Sequence, residues 1–290
     1  MEKYIQLFLK SQQDYAHFLQ HEILNLSWHN YFYWVLGSSL LIWLAEVAFP
    51  WRKNQAAIRN DFWLDFFYTF WNYFLFSLVV YAGISTIFVD LFNGFLAKFG
   101  ITNLVAIELG DLPHWSKLII IFLVRDFMQY NIHRLLHHVS WMWRFHRVHH
   151  STEQMGFGAL MRFHFMEHVF YRSLEYLPLA MLGFGISDFF IVHIFTFVTG
   201  QLGHANLYIP LGQLKYLLNG PQMHLWHHAK EFPKSHPRGF NYGITLSIWD
   251  YLFGTVYHPH DNPDLPVGLP ESERVEDGFV QHQLGVFLKK

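Results

Sequence analysis

His133 to His150, HRLLHHVSWMWRFHRVHH, holds six histidines in eighteen residues. His133 and His137 are four apart, and His146, His149 and His150 follow at i, i+3 and i+4. On a helix those spacings put imidazoles on one face, within reach of a shared ion. The spacing recurs as His224, His227 and His228 in MHLWHHAK. A lone histidine on a helix is usually a polar surface or core residue. Three such groups in a chain poor in charge point instead to metal, and neutral imidazole suits iron, copper, zinc and nickel. With His204, in GHANL, the candidate ligands number nine: His133, His137, His146, His149, His150, His204, His224, His227 and His228. One transition ion takes about four to six ligands, so the set implies two ions. His138, His164 and His168 are further candidates. His138 is adjacent to His137 and so points about 100° away, and His164 and His168 are i, i+4 in RFHFMEH. His193, inside an apolar helix, reads as a satisfied core histidine.

The remainder of the chain reads as membrane-embedded. Of its 290 residues 52% are hydrophobic, 20% aromatic and only 14% charged, against roughly 25% charged in globular domains. A net charge of −2 offers no basic field for nucleic acid. With no cysteine, disulfides, Cys-ligated iron–sulfur clusters and thiolate haem are excluded. Residues 1–30 lack a signal-peptide core and predict an amphipathic helix, either on the membrane surface or packed on the protein. Tyr31 to Phe49 predicts a first span, ended by Pro50, and Phe62 to about Val89 a second. Leu118 to about Tyr130 predicts a third that runs on into His133. Phe170 to Gly203, broken by Gly183, Gly185 and Ser187, predicts a helical hairpin. Arg52, Lys53 and Arg59 put the end of the first span in the cytoplasm. The loop bearing Asp90, Glu108 and Asp111 is then outside, and all histidine groups return to the cytoplasmic side. The expected architecture is a single all-α unit over residues 1–290. About four to five membrane helices carry a cytosolic helical cap, residues 133–168 and 204–258, that holds the dimetal site. The tail from Pro259 to Asp277 predicts a surface extension.

The ordered boxes resemble the fatty acid hydroxylase/sterol desaturase superfamily of integral membrane di-iron oxygenases. HxxxH matches at His133 and His137, and HxxHH at His146, His149, His150 and again at His224, His227, His228. WRFHRVHHS at Trp143 to Ser151 is close to the family's second box. NYG at Asn241 to Gly243, with WDYLFGT at Trp249 to Thr255, resembles its carboxy-terminal signature. The likeness spans roughly Asp126 to Tyr257. It departs from the family where an R-x-H-P-x-E stretch has Phe165 after His164. The resemblance implies two iron ions, O2 as co-substrate and external electrons, used to hydroxylate or desaturate a membrane lipid.

Carboxylates should hold the far ring nitrogens of ligating histidines. Asp126, seven residues before His133 on the same helical face, is the leading candidate, ahead of Glu167, Glu175 and Asp250. No GxGxxG follows a strand, so the electron donor is a separate ferredoxin or cytochrome b5-type protein. Arg134, Arg144, Arg147, Lys230 and Lys234 are its candidate landing site. Lateral lipid entry between aromatic-rich helices would use Phe70, Trp71, Phe74, Phe122 and Met128. Two other classes compete: a zinc-dependent membrane hydrolase, since zinc can replace iron on imidazoles, and a non-enzymatic haem- or metal-binding membrane protein.

Overall fold

The structure, a computed structural model, describes residues 1–28, 30–107, 109, 112–182 and 186–288. His29, Glu108, Asp111, Gly183 and Gly185, and the side chain of Ser187, lie outside the described residues. Among the described residues all regular structure is helical, with three isolated bridges and no strand.

Among the described residues two helices are long and apolar enough to cross a membrane: α2 (Tyr31–Ala48) and α3 (Phe62–Ala97). Asn30 caps α2, its side chain accepting from Tyr33 N at 3.1 Å. Both helices leave large apolar side chains exposed, among them Leu41, Leu44, Val79, Phe88 and Leu91. Such faces are stable against lipid and costly in water. α3 widens into π turns at Trp71–Leu75 and Ser77–Tyr81. The register shift turns Asn72 and Ser77 inward, and Asn72 donates to Met161 O at 2.7 Å. The amphipathic α1 (Glu2–Leu24) packs along α3. Phe8 lies against Gly83, and Lys3 pairs with Asp90 at 2.7 Å. α1 still exposes Ile5, Leu9 and Phe18.

The third apolar run lies in α4 (His114–His138), one uninterrupted helix that carries His133 and His137 at its far end. The run 170–203 divides into α6 (Phe165–Met181) and α7 (Ile186–His204). Both pack on α4, where Ile121, Leu179 and Val192 form a buried cluster. Short elements complete the histidine region: α5 (Ser140–His146), a 3-10 turn at His149–Ser151, α8 (Pro221–His227) and α9 (Ile248–Leu252). Gly220 and Pro221 set the start of α8, where proline's missing N–H costs nothing.

Two sequence expectations change in the fold. Leu265, Val267 and Leu269 of the tail are buried, and Leu265 and Val267 pack against Met155, Leu225 and Phe240, so this part is core and not a surface extension. Arg52 anchors it through the Pro263 and Leu265 carbonyls at 2.9 Å each. Arg59 is buried and ion-paired with Asp65 at 2.6 Å, so its charge faces the interior and not a membrane surface. A last helix, α10 (Phe279–Leu288), packs on α3, with His282 Nδ1 3.0 Å from Tyr68 Oη.

Candidate metal centre

The fold gathers the nine expected histidines into two buried groups. His133, His137, His146, His150 and His227 form one, and His149, His204, His224 and His228 the other. Within each group one ring nitrogen per residue lies within 4.8 Å of all the rest. The rings come from α4, α5, the 3-10 turn, the last residue of α7, and α8 with the residue after it. His149 and His150 are adjacent yet serve different groups, because the tight turn splays successive side chains.

Several rings have one nitrogen fixed by a main-chain carbonyl. His133 Nδ1 donates to Tyr242 O at 2.8 Å, His227 Nδ1 to Phe240 O at 2.6 Å, and His204 Nδ1 to Gly200 O at 2.8 Å. A carbonyl only accepts, so Nδ1 carries the hydrogen and Nε2 presents a lone pair. His133 Nε2 faces His146 Nε2 at 3.1 Å. His204 Nε2 lies 3.2 Å from His149 Nε2 and 3.0 Å from His224 Nε2. Among the described residues His137 and His228 have no hydrogen-bond partner on either ring nitrogen, nor has His150 on Nε2. Converging, partnerless nitrogens in a buried site are what a pair of cations would satisfy. Burial, reinforced by neighbouring imidazoles, holds His137, His149, His150, His224 and His228 well below the ordinary imidazole pKa. They are therefore neutral, the form that binds metal.

The supporting carboxylate differs from the sequence expectation. Glu167 Oε1 lies 2.9 Å from His146 Nδ1. Asp126 instead accepts from Thr245 N at 3.2 Å and from the Trp249 indole at 2.8 Å. It shares a helix with His133 but faces the 240–250 segment, so it acts one layer further out. Asp250 holds that same segment, accepting from Tyr242 N and Gly243 N at 2.8 Å and from Thr255 Oγ1 at 2.6 Å. Together the two aspartates fix the loop whose carbonyls orient His133 and His227. Gly239, at φ +108°, lets this loop close on the site, where an added Cβ would lie 2.8 Å from His137 Nδ1.

The remaining candidates stand apart from both groups. His138 Nδ1 contacts Arg134 O at 2.8 Å. His164 uses both nitrogens on the chain, through Gln283 O at 2.8 Å and Met166 N at 3.1 Å. His168 is buried against Phe76 and Tyr81 with its Nε2 unpartnered.

A cavity of about 150 Å³ abuts the histidines, reaching His133, His146, His149, His204 and His224. Its apolar wall is Tyr73, Leu160, Met161, Phe163 and Phe197. None of Phe70, Trp71, Phe74, Phe122 or Met128 lines it; among these, Phe74 packs in the core beside Tyr73. Sequence reasoning missed the polar wall, which includes Arg125, Arg172 and His193.

Part of the chain is similar to known proteins. The fatty acid hydroxylase family model matches residues 118–255. An ornithine lipid hydroxylase of Rhizobium tropici is 31% identical over 61% of this chain and 52% of its own length. An alkylglycerol monooxygenase of Xenopus tropicalis is 34% identical over 57% of this chain and 33% of its own. A very-long-chain aldehyde decarbonylase of Arabidopsis thaliana is 29% identical over 57% of this chain and 28% of its own. The chain thus spans about half or less of the length of these relatives. No solved structure matches. The histidine boxes lie in order inside the matched region, and residues 118–255 are similar to the fatty acid hydroxylase family.

Proposed function

We propose that this protein is an O2-dependent di-iron oxidoreductase that hydroxylates a membrane lipid. The observation that carries the reading is two groups of buried, converging imidazoles, five and four, beside a cavity with an apolar wall. His133, His137, His146, His150 and His227 would hold one iron ion, and His149, His204, His224 and His228 the other. The donor set accepts zinc as a replacement; bound iron would supply the reductive activation of O2 that an unactivated C–H bond requires. The relatives' own names, a hydroxylase and a monooxygenase, favour redox chemistry over hydrolysis.

The chain's residues do the rest. The carbonyls of Tyr242, Phe240 and Gly200 fix ring tautomers, so that Nε2 lone pairs face inward. Glu167 holds the His146 ring from behind. The apolar wall of Met161, Phe163 and Phe197 keeps bulk water away from the reacting carbon. The overall change is RH + O2 + 2e⁻ + 2H⁺ → ROH + H2O. The electrons come from an external ferredoxin or cytochrome b5-type protein, since the chain has no cysteine and no dinucleotide-binding motif. The metal groups lie on the cytoplasmic side, a placement resting on Arg52 and Lys53 after α2.

The test is oxygen-18 tracing in lipid extracted from cells expressing wild type or His149→Ala. Label from O2 in the wild-type lipid only, with near two metals per purified wild-type chain, is the expected result. Label from water would indicate zinc hydrolysis. Equal product in both strains would remove the assignment.

A further inference from the structure

The cavity beside the histidines is mostly apolar in surface, yet it is not a purely alkyl slot. Arg125, Gln129, Glu167, His168, Arg172 and Glu175 line it together with the apolar wall. Outside the two histidine groups, four buried side chains on this lining have a polar atom with no partner among the described residues: Gln129 Oε1, Glu167 Oε2, His168 Nε2 and Glu175 Oε1. Each of the four residues is more than nine-tenths buried. An alkyl chain would leave all four atoms unpaired, whereas a group bearing N–H or O–H donors pairs them.

The two arginines differ. Arg125 is neutralised by Glu175 at 3.1 Å. Arg172 donates to the Ser77 hydroxyl at 3.2 Å and lies 4.8 Å from the Tyr81 ring centroid. Among the described residues no carboxylate stands within ion-pair distance of it. Glu175, one turn along the same helix, acts on it only at longer range. A guanidinium with no carboxylate in direct contact, held between packed helices, marks a binding function, and its fork matches carboxylate or phosphate. The π turn at Ser77–Tyr81 supplies both of its neighbours, so the irregular stretch of α3 helps to build this pocket.

Building on the reaction proposed above, we propose that the cavity takes the polar head of the lipid, with an oxyanion of that head on Arg172. The oxidised C–H bond then lies in the head or beside it, and not far along an acyl chain. One oxygen atom of O2 enters that C–H bond. The other leaves as water, with two electrons from the external donor protein and two protons.

Two measurements test this. The first is lipid retention by the purified protein in nanodiscs, read by native mass spectrometry. It compares diacylglycerol, a phosphate-headed lipid and an aminoacyl lipid with a free carboxylate. Wild type should retain one of the oxyanion-headed lipids at least about tenfold over diacylglycerol, and which one identifies the source of the oxyanion. Arg172→Gln should lose that preference and Arg172→Lys should recover part of it, with metal content unchanged in both. Equal retention of all three lipids by wild type, or an undiminished preference in Arg172→Gln, overturns the proposal.

The second measurement locates oxygen-18 from O2 by fragmentation of the product lipid. Label in the head fragment, or on the carbon next to it, is expected. Label far along the acyl chain overturns the head-group assignment and leaves the oxygenase reading intact. Arg172-dependent retention with no label in any lipid supports the head-group site and refutes the oxygenase reading instead.

Discussion

At the scale of single residues, tautomer control governs the site. A ring whose Nδ1–H is held by a carbonyl has only Nε2 left to offer, and three of the nine histidines are held this way. Glu167 does the corresponding work for His146 with a carboxylate. Removing such a support typically weakens metal binding about 10- to 100-fold. Glu167→Ala should therefore lower affinity by that range, measured by chelator competition, with helix content unchanged by circular dichroism. Asp126→Ala should have the smaller effect on metal, because its bonds reach Thr245 and Trp249 and no histidine. A larger metal loss in Asp126→Ala than in Glu167→Ala would reverse this assignment.

At the scale of elements, the segment from Gly239 to Thr255 acts as a brace for the helices that carry ligands. Asn241 holds it in the left-handed region, at φ 56°, and ties it to Met223 O and Tyr257 O at 3.0 and 2.7 Å. Gly239→Ala meets two obstacles, the positive φ and the close approach to His137. It should destabilise the protein by about 1–3 kcal/mol. It should also empty the His137 group before the His149 group, giving near one metal per chain by elemental analysis. Loss of both metals together, or of neither, would contradict that reading. Asp250→Ala strips the acceptor from Tyr242 N, Gly243 N and Thr255 Oγ1. About 2 kcal/mol or more of stability should go with it, read from thermal melts in detergent.

At the scale of the whole molecule, the helices that meet lipid and the segments that hold histidines are separate parts of one path. α4 joins them, carrying an apolar stretch at one end and His133 and His137 at the other. In the proposed topology residues 140 and 285 share the cytoplasmic face. Tags or protease sites placed at both should be accessible from the same side of sealed vesicles. Accessibility from opposite sides would rule out the hairpin reading of 170–203. α10 strengthens the expectation, since it packs against the same buried segment of α3, around Tyr68, as Phe145 and Val148 of the histidine region.

The sequence alone determined the periodic features. Spacings of three and four residues identified His133, His137, His146, His149, His150, His224, His227 and His228, and apolar runs located α2 and α3, because both signals are local and repeat with the helix. Tertiary structure decided what depends on side-chain direction between distant segments. It divided the nine histidines five and four, sending adjacent His149 and His150 to different groups. It gave His146 its carboxylate from Glu167, 21 positions away, and turned Asp126 toward Trp249. It also buried Leu265 and Val267 of a tail whose prolines and acids read as surface. Arg172 lies in a run that read simply as membrane helix, and no spacing marks it. Its position opposite Ser77 and Tyr81 arises only when α6 packs beside the π turns of α3. Helical periodicity is written into neighbouring residues, whereas the partner of a buried charge is set by packing that no short window contains.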